Sequence, residues 1–206
     1  MIRVPLRDLR TALSDPTRYV STFRPGRARI RPSKYGMLLF AIGHFHHTNN
    51  VREAQDYLEE KITKNFKIVS DLPTYFQKLQ VYAREFKKLG NVFIRVRDNI
   101  TISTLAQYAD IVVSGQAARI DLVPSRGYAV WIFVRDVPDW GLDPRMPLLQ
   151  LAYSQRLAVN LDEVSVGVYD FIAGGHSARL YSQAEIDTTT RNLLRLLRLF
   201  KQQQRP

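Results

Sequence analysis

The sequence contains no cysteine, which excludes disulfides and thiolate metal sites and fits a cytoplasmic location. It has no apolar run near the ~20 residues that a membrane-spanning helix needs. Its first ten residues, MIRVPLRDLR, lack the apolar core of a secretion signal, so no membrane association is expected. Acidic residues are scarce at both ends. Residues 1–40 carry nine Lys/Arg against two acids, and residues 185–206 carry five against two. The net charge of +11 is therefore gathered in the two ends, at +7 and +3, leaving +1 for residues 41–184. Such clustering points to surfaces that meet a polyanion. The plainer alternative is a solvated basic surface that aids solubility.

The 206 residues, 45% of them hydrophobic, suit one compact domain spanning 1–206. Leu6, Leu9 and Leu13 recur at helical spacing and predict a short helix over 4–20. The basic stretch STFRPGRARIRPSKY follows, with Arg24, Arg27, Arg29, Arg31 and Lys34; it is either a solvated loop or a segment lying along a phosphate backbone. Helices are expected over 35–47 and 51–66, and from Asp71 to Gly90 with Pro73 in the first turn. The period then changes. NVFIRVRDNITI, IVVSGQAARIDLV and GYAVWIFVRD read as three strands, 146–158 as a helix and 163–174 as a further strand. Residues 182–204 form the closing helix, opened by Ser182 with Glu185 three residues later, a capping-box spacing. In that helix Leu193, Leu194, Leu197 and Phe200 form an apolar stripe, and Arg191, Arg195 and Arg198 a basic one that either meets phosphates or is simply solvated. The expected class is mixed α/β, with a mainly helical part over 1–90 and a sheet core with closing helices over 91–206.

The chemistry turns on ARIDLV and GYAVWIFVRD, two adjacent strands with one acid, Asp121, on the first. Metal-dependent phosphodiester hydrolysis needs carboxylates from neighbouring strands converging on Mg²⁺, and a lysine two residues past the second acid shares its face. With these strands, LRTALSDPTRYV, YGMLLFAIGHFHHTNNVREAQDYLEEKI, LLQLAYSQRL and YDFIAGG, the chain resembles the PD-(D/E)XK nuclease superfamily in its RecB/Cas4-like branch, over nearly its whole length. The resemblance implies a restriction-endonuclease-like mixed sheet flanked by helices, with Asp121 at the metal-binding aspartate. It places Phe133 and Arg135 where the family has an acid and a lysine. It places Leu39 or Phe40 near the family's metal-binding histidine, and Ala118 where a glycine stands. Gln150 and Tyr153 resemble a QxxxY signature that touches the nucleic-acid backbone, with one residue too few between them.

A phenyl ring cannot bind Mg²⁺, and arginine is a very poor general base because its pKa exceeds 12. The resulting expectation is a catalytically inactive, nuclease-like protein without a cofactor. It would bind nucleic acid, DNA ahead of RNA, through the basic loop, Arg119, Arg135 and the closing-helix arginines, or serve as a subunit of a prokaryotic DNA-processing or defence assembly with a protein partner. The alternative is an active Mg²⁺- or Mn²⁺-dependent nuclease in which Asp121 and a relocated Asp136 are ligands and Arg135 steadies the phosphate. By alternation Asp136 points away from Phe133 and Arg135, so this needs a β-bulge. Asp121 also has a bland reading, as an acid ion-paired to Arg119 or Arg135. His44, His46 and His47 lack an i,i+4 pair and an acidic companion, so they read as surface or capping residues, and His176 as a loop residue. Trp131 and Trp140 read as packing residues rather than base-stacking platforms.

Overall fold

A computed structural model describes residues 2–24, 33–67, 69–102, 110–135 and 137–203. The elements are β1 (Ile2–Pro5), α1 (Leu9–Ser14), α2 (Pro16–Thr22), α3 (Lys34–Thr48), α4 (Val51–Asn65), α5 (Leu72–Leu89), β2 (Val92–Ile102), β3 (Ile111–Val123), β4 (Gly127–Val134), α6 (Arg145–Leu157), β5 (Val164–Asp170), β6 (Gly175–Arg179) and α7 (Gln183–Gln203). The class is mixed α/β, a mixed sheet flanked by helices with a helical segment near the N-terminus.

Local chemistry accounts for most boundaries. The Asn50 side chain accepts from the backbone N–H groups of Arg52 and Glu53 and opens α4. Asn49 and Gly90 take the left-handed conformation that ends α3 and α5. The Ser182–Glu185 capping box is formed: Ser182 N–H donates to Glu185 Oε2 at 2.8 Å and Glu185 N–H to Ser182 Oγ at 3.3 Å.

Two expectations fail. The segment read as a helix over 4–20 starts instead as β1, and its helical part is split at Asp15–Pro16. Pro16 has no N–H to continue a helix but suits a first turn, and Asp15 caps that turn by accepting from Arg18 N–H. The strand read over 163–174 ends at Asp170, and Gly175–Arg179 returns as β6.

The sheet runs β1-β3-β4-β5-β6, with β2 also on β3. β3 pairs antiparallel with β2 from Val113 to Leu122. Its other edge is shared: β1 runs parallel beside Ile111–Ser114, and β4 antiparallel beside Arg119–Val123. Among the described residues, 115–118 therefore have β2 on one side and no strand on the other, so the sheet forks there. At the top of the fork, Gly115 packs so closely on Leu6 that a Cβ would lie 2.4 Å from Leu6 Cβ. One sheet face carries Val130, Ile132, Val166 and Val168 against α6 and α7. The other carries Tyr169 and Phe133 against α3, α4 and α5.

Candidate functional site

Asp121 sits on β3 opposite Ala129 of β4, and Arg119 opposite Trp131. Both charged residues have no solvent exposure. A buried ion pair is tolerable only if its desolvation is offset by hydrogen bonding, and here that bonding gathers on one carboxylate oxygen, while Asp121 Oδ1 is buried with no hydrogen-bond partner among the described residues. Asp121 Oδ2 accepts from Arg119 Nε at 3.0 Å, Trp131 Nε1 at 2.8 Å and Asn91 Nδ2 at 3.2 Å. Arg119 Nη2 approaches the same oxygen to 2.8 Å as an ion-pair contact without hydrogen-bond alignment. Arg119 Nη1 donates to the Tyr82 hydroxyl at 2.5 Å. The guanidinium also faces the rings of Phe86 at 4.7 Å and Trp131 at 5.0 Å.

Two histidines complete the cluster. His46 Nε2 lies 2.7 Å from the Tyr82 hydroxyl and its ring stacks on Phe93 at 4.4 Å. Because guanidinium only donates, the Tyr82 hydroxyl accepts from Arg119 and shares a second hydrogen bond with His46 Nε2. Burial, reinforced by the Arg119 charge, brings His46 down to about 2 and His176 down to about 3, so both are neutral near pH 7. Burial pushes the Asp121 carboxyl above its ordinary value, and Arg119, Asn91 and Trp131 pull it partly back. His44, by contrast, stacks on Tyr57 at 4.8 Å, away from this cluster.

The donor set does not suit a divalent metal. Mg²⁺ and Mn²⁺ ask for several oxygen ligands around an open position. Here one carboxylate oxygen is saturated by nitrogen donors and an arginine fills the neighbouring space. Among the described residues no three of His, Asp and Glu gather as a metal-holding group. No metal-dependent step follows from this arrangement.

Asp121 and Arg135 are not brought together. The β4 residues that share the Asp121 neighbourhood are Ala129 and Trp131. Arg135 lies six residues past Ala129, about 20 Å along an extended chain. It is exposed, 5.8 Å above the Tyr35 ring. Phe133 packs edge-on against Tyr82 at 5.6 Å and Phe171 at 5.5 Å, and belongs to the aromatic core. Asp136, proposed as a relocated ligand, lies outside the described residues.

The other sequence candidates disperse. Arg119 is sealed in the Asp121 cluster rather than turned toward a phosphate. Gln150 is buried, its Nε2 donating to the carbonyls of Leu161 and Tyr181 and its Oε1 accepting from Tyr181 N–H. Tyr153 is buried and donates to Asp98 Oδ2 at 2.8 Å, where Arg95 and Arg156 also meet the carboxylate. These contacts tie α6 to β2 and to the segments around Leu161 and Tyr181, and leave neither side chain facing outward. Arg27, Arg29 and Arg31 lie outside the described residues. Arg24 is exposed, and Lys34 is ion-paired with Asp71. Arg191, Arg195 and Arg198 are exposed along α7, whose apolar face carries Leu193, Leu196, Leu197 and Phe200.

A basic feature that sequence reasoning missed lies at the sheet fork. A cleft of 780 Å³ opens there, with Arg3, Arg7, Arg97 and Arg145 around Gly115, Gln116 and Ala118, and no carboxylate among its described lining residues. Arg145 is held by Asp143, and Arg7 lies 3.5 Å from Asp8. Arg3 and Arg97 have no carboxylate within ion-pair reach among the described residues. Alternation along VFIRVRDNITI put Arg97 and Asn99 on one face, but nothing local foretold a gap beside them.

No protein-family model matches the chain, and no curated protein matches it. Among solved structures it is similar to one titled "Crystal structure of SSO0001", at 11% sequence identity and a TM-score of 0.36, covering 92% of this chain and 85% of that one.

Proposed function

We propose that this chain is a catalytically silent, nuclease-like protein that binds nucleic acid, DNA ahead of RNA, and works beside a protein partner in a larger assembly. The observation that carries the reading is the fork cleft, lined by four arginines, of which Arg7 and Arg145 meet Asp8 and Asp143 while Arg3 and Arg97 have no carboxylate within ion-pair reach among the described residues. A basic, acid-free concavity concentrates polyanions, and arginine matches phosphate oxygens in pairs. The order of elements from α5 through β5, with three antiparallel strands, a helix and a strand parallel to β4, accords with the resemblance drawn from the sequence. The burial of Asp121 and the Arg119 charge beside it support the absence of catalysis, because a cation at that carboxylate would meet a guanidinium already in place.

The test is fluorescence anisotropy with labelled single- and double-stranded DNA at rising salt, alongside a cleavage assay with Mn²⁺. For two to four phosphate contacts, affinity should fall roughly 10- to 100-fold between 50 and 200 mM salt. No cleavage should appear. Salt-independent binding would reject the polyanion reading, and cleavage abolished by Asp121→Ala would reject the silent one.

A further inference from the structure

Arg97 is the unusual residue of the cleft. It sits within β2 yet has φ of +53°, a left-handed conformation that side-chain-bearing residues rarely adopt inside a strand. Strain of this kind persists where surrounding contacts over-determine it, and it gathers at binding sites. Two contacts hold Arg97. Its guanidinium lies 4.0 Å over the Phe40 ring, and its Nε donates to Gln116 Oε1 at 3.5 Å. Gln116 is itself fixed, because its Nε2 donates to Asn99 Oδ1 at 2.9 Å. The guanidinium is thus braced on one face and along one edge, while both Nη groups carry no carboxylate and the residue remains exposed. A planar fork fixed before its ligand arrives loses little freedom on binding.

The surroundings suit an anion that enters from one side. The apex of the fork is the unpaired edge of residues 115–118, and such an edge presents backbone N–H donors. Arg3 and Arg7 lie on the rim, within and just after β1. The volume of 780 Å³ lies within the roughly 300–1,000 Å³ of small-molecule sites and is far too small for a duplex. A notch closed at its apex receives a terminal group, whereas a continuous backbone would have to loop through it.

We propose that the fork cleft seats a phosphate monoester carried on a nucleotide, with Arg97 as the pre-set fork and Arg3 and Arg7 as the neutralising rim. The carrier is a strand end or a free nucleotide. The identity of that carrier rests on the nucleic-acid reading above; the phosphate seat does not.

The experiment measures anisotropy for a labelled single-stranded 12-mer with its free end phosphorylated or left as hydroxyl, at 5′ and 3′ ends in turn, and competition by ATP and AMP. Charge-assisted bidentate contact should favour one phosphorylated end by about 10-fold. Arg97→Lys keeps the charge and loses the fork, so it should bring the phosphorylated and hydroxyl ends to equal affinity. Arg3→Gln, on the exposed rim, should lower the preference without disturbing the fold. Equal affinity for phosphorylated and hydroxyl ends, with no competition by ATP or AMP, overturns the proposal and leaves the nucleic-acid reading standing. ATP or AMP binding that Arg97→Lys abolishes, with no affinity for any strand, upholds the seat and overturns that reading. No binding of any of these ligands overturns both.

Discussion

Two arginine-bearing sites lie on the same strand pair and behave in opposite ways. At the upper end of β3, Arg119 is sealed with a carboxylate, an indole, an amide and a phenol, so its charge is spent internally. At the fork, Arg97 is braced but not neutralised. What separates them is the partner strand. Where β4 pairs with β3, the helical layer of α3 and α5 closes over the face. Where neither β1 nor β4 reaches β3, the same sheet leaves a concavity. Strand coverage, not residue type, separates the sealed arginine from the exposed one.

The comparison can be broken most sharply at Asp121. Asp121→Ala leaves Arg119 buried and unpaired, and should destabilise the protein by about 3–5 kcal/mol in urea denaturation. An Asp121→Leu, Arg119→Met pair removes both charges and should recover most of that loss. If Asp121→Ala proved neutral, the sealed network would not be what holds α5 to the sheet.

Acid should open the sealed site next. His46 and His176 titrate near 6.5 when unfolded and at about 2 and about 3 when folded. The stability that their neutrality permits is intact above pH 6.5 and drains as the pH falls toward 3. The slope is at most about 1.4 kcal/mol per pH unit for each histidine. Asp121, whose folded value is raised, acts in the opposite sense and softens the loss at the acid end of that window. Urea midpoints measured from pH 7 to 4 should show the decline, and His46→Gln should flatten it. The smallest effect belongs to the open site. Arg7→Gln should change stability by less than about 0.5 kcal/mol while reducing the salt slope of DNA binding by about 1.

Much of the fold was legible. Hydrophobic period, the Ser182–Glu185 box, Pro73 and Gly90 gave the long helices and the central strands. β1 was not, because four residues paired to a strand more than a hundred positions away carry no local signal beyond the alternation of Ile2 and Val4. Asp121 was read as a metal ligand or as an acid paired with Arg119 or Arg135, and the structure pairs it with Arg119 and not with Arg135. The turn at 124–126 held the better information. Val123 pairs with Gly127, which fixes Ala129 beside Asp121. Gly127 is required there, with φ of +96° and Glu163 O only 2.2 Å from where a Cβ would stand. The fork was illegible, since it arises where two strands far apart in the chain stop short of each other on one edge of a third.

The buried Asp121–Arg119 pair also constrains what mutation can do to this chain. A change of Ala129 to an acid would bury a second negative charge beside a single arginine, and a change of Arg119 alone would strand the first. Each one-residue step toward a metal-holding pocket passes through an uncompensated interior charge. The two charges are therefore bound to change together: a substitution at either one alone leaves its partner uncompensated in the interior.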